Sequence, residues 1–300
     1  MKLLVISILF AVCSAFATDF SVKAAKPWTI KGGVYSIEFD GSRTYPALRI
    51  LPERLKSNTY YKLSFKAELN NFPLMICFKG KDGMSAPVRH QNGGRNTAGW
   101  QTFSFYFRTG KESSMIFLIY PNPGAAGRAQ VRDISLDETV DFGKNLLSEG
   151  DFESGNALLP RHEKFKDQLA VVDSPAFFCG ERSLRLDKKA EDFAAAITRD
   201  VPAVPGRTAV IRFWAKSEHG TVPGTMYLDF YRPGHKRHLV RRFDFKALPE
   251  WKEFTFSYTI PADMNVWTAL EEGMARLQFH LLKSATEATV YLDQLEYRLE

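Results

Sequence analysis

Apolar and polar residues alternate with a period of two along most of this chain. Tyr61, Leu63, Phe65 and Ala67 fall on one side of a run whose other side carries Tyr60, Lys62, Ser64 and Lys66. Phe103, Phe105 and Phe107 are set against Ser104 and Tyr106, and Ile211, Phe213 and Ala215 against Arg212, Trp214 and Lys216. Phe254, Phe256 and Tyr258, then Leu277, Phe279 and Leu281, repeat the pattern. This is the period of half-buried strands, and clusters of Gly, Pro, Asn and Asp between the runs supply the turns. Only Lys188–Ala196 and Val266–Gly273 read as weak helical stretches. The predicted class is all-β and antiparallel, of the sandwich kind.

The order of the runs occurs twice. Tyr60–Ala67, then Trp100 leading Gln101–Phe105, then Val131–Leu136 with its Asp133, make one series. Val210–Lys216, then Trp251 leading Lys252–Phe256, then Val290–Leu295 with its Asp293, make the other. Two tandem sandwiches account for this most simply: residues 18–140 and residues 145–300, joined across the polar stretch Asp141–Lys144.

The first residues change the picture. Lys2, the apolar run Leu3–Val12 and Ala15-Phe16-Ala17 have the layout of a secretory signal peptide, so residues 1–17 are expected to be removed and the protein secreted, extracellular or periplasmic. The apolar run is shorter than the roughly 20 residues a membrane span needs, and no later segment predicts a span. Cys77 and Cys179 fall in different predicted modules and are expected as small buried apolar residues, not as a disulfide. The net charge is +6, or +5 without Lys2. That permits an acidic partner without requiring one, and export disfavours nucleic acid.

The second half also carries a resemblance. Asn145-Leu146-Leu147-Ser148-Glu149-Gly150-Asp151-Phe152-Glu153, Gly180-Glu181-Arg182-Ser183-Leu184, Phe213-Trp214-Ala215-Lys216, Trp251–Phe256 and Val290–Leu295 stand in the order of landmarks found in carbohydrate-binding modules attached to cellulases and xylanases. The chain resembles their family-four, family-nine and family-twenty-two types. The first half keeps only the later landmarks. The resemblance implies a galactose-binding-like jelly roll and polysaccharide binding, although the same fold also serves as a spacer.

Sugars stack on aromatic rings and bond to amides and charged groups, so outward residues of the second module are the candidates. Trp214 stands on the polar side of its strand, unless a loop buries it. Gln278 and His280 share one polar side, and Tyr227, Asp229 and Tyr231 alternate along another. Arg232, His235, Lys236, Arg237, His238, Arg241 and Arg242 form a basic cluster around Pro233-Gly234, suited to carboxylates or sulfates or else simply solvated. The resemblance further implies a structural calcium ion held between the opening and closing strands, and Glu153 and Asp293 occupy the matching places; capping or ion pairing is the other reading. No nucleophile elbow, His-Glu-x-x-His, phosphate loop or Cys-x-x-Cys occurs. The expected function is non-catalytic glycan binding. The alternatives are an adhesive or structural spacer, and a small jelly-roll lyase or hydrolase.

Overall fold

The computed structural model describes residues 18–300 apart from 43–45, 73, 81–88, 95, 98, 110–114, 122–125, 139, 148–149, 154–158, 161–167, 174–177, 191, 231–238, 263–272, 283 and 285. The expected signal peptide and the stretch 266–272 therefore lie outside the described residues.

Two antiparallel β-sandwiches follow one another. In the first, one sheet runs in the order β1 (Phe20–Ala24), β4 (Leu48–Pro52), β9 (Met115–Pro121), β6 (Leu74–Gly80), β7 (Arg89–Gly94). The facing sheet runs β2 (Thr29–Lys31), β3 (Val34–Asp40), β10 (Ala126–Asp137), β5 (Tyr60–Asn70), β8 (Gln101–Arg108). In the second sandwich the first sheet is β11 (Leu159–Pro160), β14 (Ala194–Ile197), β20 (Met274–Leu281), β17 (Val222–Phe230), β18 (Leu239–Ala247), with β15 (Val201–Pro202) beside β20. Its partner is β12 (Leu169–Asp173), β13 (Arg182–Lys188), β21 (Ala288–Leu299), β16 (Thr208–Ser217), β19 (Lys252–Thr259). With β15 set aside, the two strand orders correspond one to one. Each sheet of the first jelly roll has its counterpart in the second.

The alternation decides which side of each strand is buried. Leu63, Phe65 and Ala67 of β5 lose essentially all exposure, as do Ile211, Phe213 and Ala215 of β16. Phe65 and Phe213 hold equivalent central places. Phe65 stacks near Phe103 and Phe105 with ring centroids 5.6 and 5.8 Å apart. Phe213 meets Phe245, Phe254 and Phe279 at 5.3, 5.5 and 5.0 Å. Such ring pairs contribute about 0.5–1.5 kcal/mol each beyond the burial itself.

A β-bulge recurs at the same station in both modules. The register between β10 and β5 shifts between Arg132 and Ser135, where Asp133 has φ 52°. Between β21 and β16 the pairing passes from Arg212↔Glu296 to Trp214↔Asp293, leaving Gln294, with φ 48°, in the bulge. The bulge corrects one expectation. Asp133 and Asp293 look alike in sequence, but the register equates Asp293 with Arg132, and Gln294 with Asp133. Lys188–Ala196 is also not helical. It holds the end of β13 and the start of β14.

The modules pack against each other where β15 meets β8. The Tyr60 hydroxyl donates to the Ala203 carbonyl at 3.3 Å, and its ring meets Phe142 of the connecting segment edge-on at 5.6 Å. Arg207 lies over that same Phe142 ring, 5.0 Å from its centroid. From the second module, the Arg199 guanidinium sits 5.2 and 4.7 Å above the rings of Phe103 and Phe105, and burial pulls its pKa down to about 9. Gly273 (φ 62°) closes the contact, since a Cβ there would run into the Tyr60 hydroxyl.

Candidate functional site

The outer side of the sheet β14-β20-β17-β18 gathers most of the predicted site residues. Gln278 on β20 lies beside Tyr227 on β17, and Tyr227 lies beside Arg242 on β18. One step along the strands, His280 faces Thr225 and Thr225 faces Asp244. Every second residue of a strand points the same way, so Gln278 and His280, and Tyr227 and Asp229, share this surface.

Hydrogen bonds order the row. Gln278 Nε2 donates to Asp229 Oδ2 at 2.5 Å. Its amide oxygen must then accept, and His280 Nε2 stands 3.2 Å from it, so that nitrogen carries the proton. The Tyr227 and His280 rings meet edge to face at 4.8 Å. Phe193 lies nearly parallel to His280 on the far side, at 6.5 Å. Tyr227 and Gln278 stay half-exposed, whereas Asp229 and His280 keep 6% and 8% of their surface, so the row has a withdrawn, fixed floor and an accessible aromatic-and-amide rim. Phe193 escaped the sequence reading because it sits in the stretch taken for weak helix.

Arg241 and Arg242 separate. Consecutive strand residues point to opposite faces. Arg242 joins the surface and bonds Asp244 Oδ1 at 2.9 Å; the same oxygen accepts from Thr225 Oγ1 at 2.8 Å. These bonds, Arg242's first, hold the Asp244 carboxyl below its ordinary value. Arg241 turns the other way and lies 4.8 Å over the Tyr258 ring of the opposite sheet. Tyr231 and the basic residues at 232 and 235–238 lie outside the described residues.

Trp214 belongs to the other sheet, on β16, and so does not share a platform with Gln278 and His280. Phe178 stacks on it, with centroids 3.9 Å apart and planes at 14°, and Trp251 stands 6.0 Å from Phe178. Phe178 is itself 40% exposed, so Trp214 is a half-buried ring under an aromatic cover, neither an open platform nor a core residue.

Glu153 and Asp293 converge on the loop Phe178–Arg182. Asp293 Oδ2 accepts the N–H groups of Phe178 and Cys179 at 2.9 and 3.1 Å, and Oδ1 accepts that of Gln294 at 2.7 Å. Glu153 Oε1 accepts from Glu181 and Arg182 at 2.9 and 3.1 Å. Gly180 (φ 76°) is required between them, because a Cβ would strike the Glu153 carboxylate. Burial, opposed by the three amides and aided by Glu153, raises the Asp293 pKa above 3.8. Amide hydrogens point at three of the four carboxylate oxygens, a fit for loop anchoring and a poor one for a cation. Among the described residues no three His, Cys, Asp or Glu side chains gather as a metal site. Cys179 on this loop is exposed, against expectation, whereas Cys77 is buried.

The equivalent sheet of the first module differs. There Cys77 faces Leu118 and Met75 faces Tyr120, and with Ala47 they pack into a small apolar cluster on the outer side.

No family model and no curated protein matches the chain. Solved structures of similar shape include the N-terminal CBM22-1–CBM22-2 tandem of Xyn10C from Paenibacillus barcinonensis: 14% identity, TM-score 0.39, covering 96% of this chain and 99% of that one. The CBM22-2 xylan-binding domain of the same protein is 17% identical with TM-score 0.38, over 53% of this chain and 99% of its own. A CBM61 module in complex with beta-1,4-galactotriose is 15% identical with TM-score 0.36, over 53% of this chain and 100% of its own. These likenesses are to carbohydrate-binding modules.

Proposed function

We propose that this is an exported glycan-binding protein without catalytic chemistry, whose second module takes a polysaccharide across the outer side of β14-β20-β17-β18. The observation that carries this reading is the hydrogen-bonded row Asp229–Gln278–His280 with the Tyr227 ring set against it. It presents an aromatic surface, an amide and an imidazole already oriented, as a hydroxyl-rich chain requires. Arg242 is engaged by Asp244, which supports a neutral glycan over an acidic one.

The carboxylates support binding over cleavage. Asp229 and Asp244 face this surface, but Asp244 pairs across from Thr225, four residues from Asp229. That separation is about 13 Å along the strand at 3.3 Å per residue. Paired glycosidase carboxylates stand about 5–9.5 Å apart.

Affinity electrophoresis tests the reading. The chain from Thr18 onward should be retarded in gels containing a neutral polysaccharide, and Tyr227→Ala and Gln278→Ala should each relieve the retardation without moving the melting temperature. Retardation by none of a panel of neutral and acidic polysaccharides would overturn it.

A further inference from the structure

We propose that the first module carries a ligand site of its own: a polar groove for a neutral, hydroxyl-rich ligand of one or two sugar rings. The groove lies on the outer side of the sheet β3-β10-β5-β8, and its sheet is the counterpart of the one that does not carry the row in the second module. Its volume is about 460 Å³, within the roughly 300–1,000 Å³ usual for small-molecule sites.

The floor is two pairs of outward residues in register, Glu68 beside Gln130 and Asn70 beside Arg128. The wall is Asn96 and Thr97, and it is pinned. Asn96 Oδ1 accepts the Asn71 N–H at 2.6 Å; Thr97 Oγ1 accepts the Leu69 N–H at 2.9 Å and donates to the Gly99 carbonyl at 2.7 Å. Asn71 in turn donates from Nδ2 to the Ala126 carbonyl at 2.9 Å, and Gly127 lets the two backbones close, since a Cβ there would overlap the Asn71 carbonyl. Asn96 Oδ1 and Thr97 Oγ1 are thus engaged in holding shape. The side chains of the floor are not: Glu68, Asn70, Arg128 and Gln130 have no hydrogen-bond or ion-pair partner among the described residues.

What the floor offers fixes the class of ligand. Arg128 only donates, Glu68 only accepts, and the two amides do both. Hydroxyl groups, which donate and accept together, satisfy that set. Among the described residues of the groove one positive and one negative charge leave no excess to hold an anion, and Glu68 repels one. Among the described residues no aromatic ring lines the groove, so recognition runs through the edge of a sugar ring and not through its face.

The site stands independently of the reading for the second module. Amide-resolved NMR of the full chain from Thr18 onward separates the two. The probes are xylose, glucose, galactose and mannose, their β-1,4-linked dimers, and glucuronic acid. At least one neutral sugar should give saturable shifts of the Asn70, Asn96 and Gln130 side-chain amides. Arg128→Ala and the near-isosteric Glu68→Gln should each weaken that binding about tenfold, while Tyr227→Ala leaves it unchanged. Shifts confined to Gln278 and its neighbours, no shifts at all, insensitivity to Arg128→Ala, or preference for glucuronic acid would each overturn the site. Shifts at Asn70, with silence at Gln278, would uphold it and sink the reading for the second module.

Discussion

The two sandwiches share strand order, central phenylalanine and bulge, yet their equivalent outer faces are opposite in character. On β20 and β17 of the second module that face carries Gln278, His280, Tyr227 and Asp229. On β9 and β6 of the first it carries Leu118, Tyr120, Cys77 and Met75. The other pair of sheets reverses the contrast. The first module offers there a polar groove whose floor side chains have no partner among the described residues, whereas in the second Arg212 is bound to Glu296 at 2.6 Å and Trp214 is covered by Phe178. Inward residues are held by the shared core. Outward residues are not, so duplication of the fold did not duplicate the surface.

The deepest cut at this comparison is through the cores. Phe65→Ala and Phe213→Ala should each cost about 3–5 kcal/mol of stability, read by chemical denaturation. A mutation costing little would show that the two positions are not equivalent and that one sandwich is held differently.

Next comes the station at which the bulges align. Asp293→Asn should cost about 1–3 kcal/mol, because amides now bonded to a carboxylate oxygen would meet an NH₂ group. The change also carries a pH signature. The folded pKa is raised, so the stability this group contributes is full below 3.8 and is lost as the pH rises through the folded value. The variant should lack that decline, and an unaltered pH profile would remove Asp293 as its source. Calcium enters the same experiment. With amides on these oxygens, the chelator EGTA should leave the melting temperature where it is, and a drop would restore the ion that Glu153 and Asp293 suggest.

The smallest effects belong to the aromatic contacts beside the bulges. Trp214→Ala should cost about 0.5–3 kcal/mol and spare glycan binding, since the ring lies on the sheet opposite the row. Loss of binding without loss of stability would return Trp214 to the ligand surface. Its neighbour's counterpart, Arg132, lies 4.1 Å over Trp100, and Arg132→Ala should cost about 0.5–1 kcal/mol.

The alternation of Phe103, Phe105 and Phe107, or of Leu277, Phe279 and Leu281, was enough to place strands and core, because a residue's side of a strand is a local property. Which sheet a strand joins is not local. Strand β16 pairs with β21, whose residues lie some eighty positions on, so polar sides at Trp214 and Gln278 looked like one surface and are two. The bulge defeats simple alignment for a related reason. Only the cross-strand register at the bulge, Arg132↔Lys66 in one module and Asp293↔Trp214 in the other, shows that Asp293 matches Arg132 and not Asp133. The groove in the first module left no motif, since Asn70, Asn96 and Arg128 are ordinary residues that only the folded register brings together.

The contact made by Arg199, Tyr60 and Gly273 has a consequence for valence. Two binding modules on a slack tether search for a second hold on the same polymer at an effective concentration set by the tether's length. Here the joint is filled: a guanidinium lies on Phe103 and Phe105, and no side chain fits at residue 273. The offset between the two surfaces is therefore set by packing. If both proposed surfaces hold one polymer, only a glycan whose repeat matches that offset gains the avidity of double attachment, roughly 10²–10⁴-fold. One that does not match gains nothing, so on that reading the joint acts as a ruler for polymer geometry.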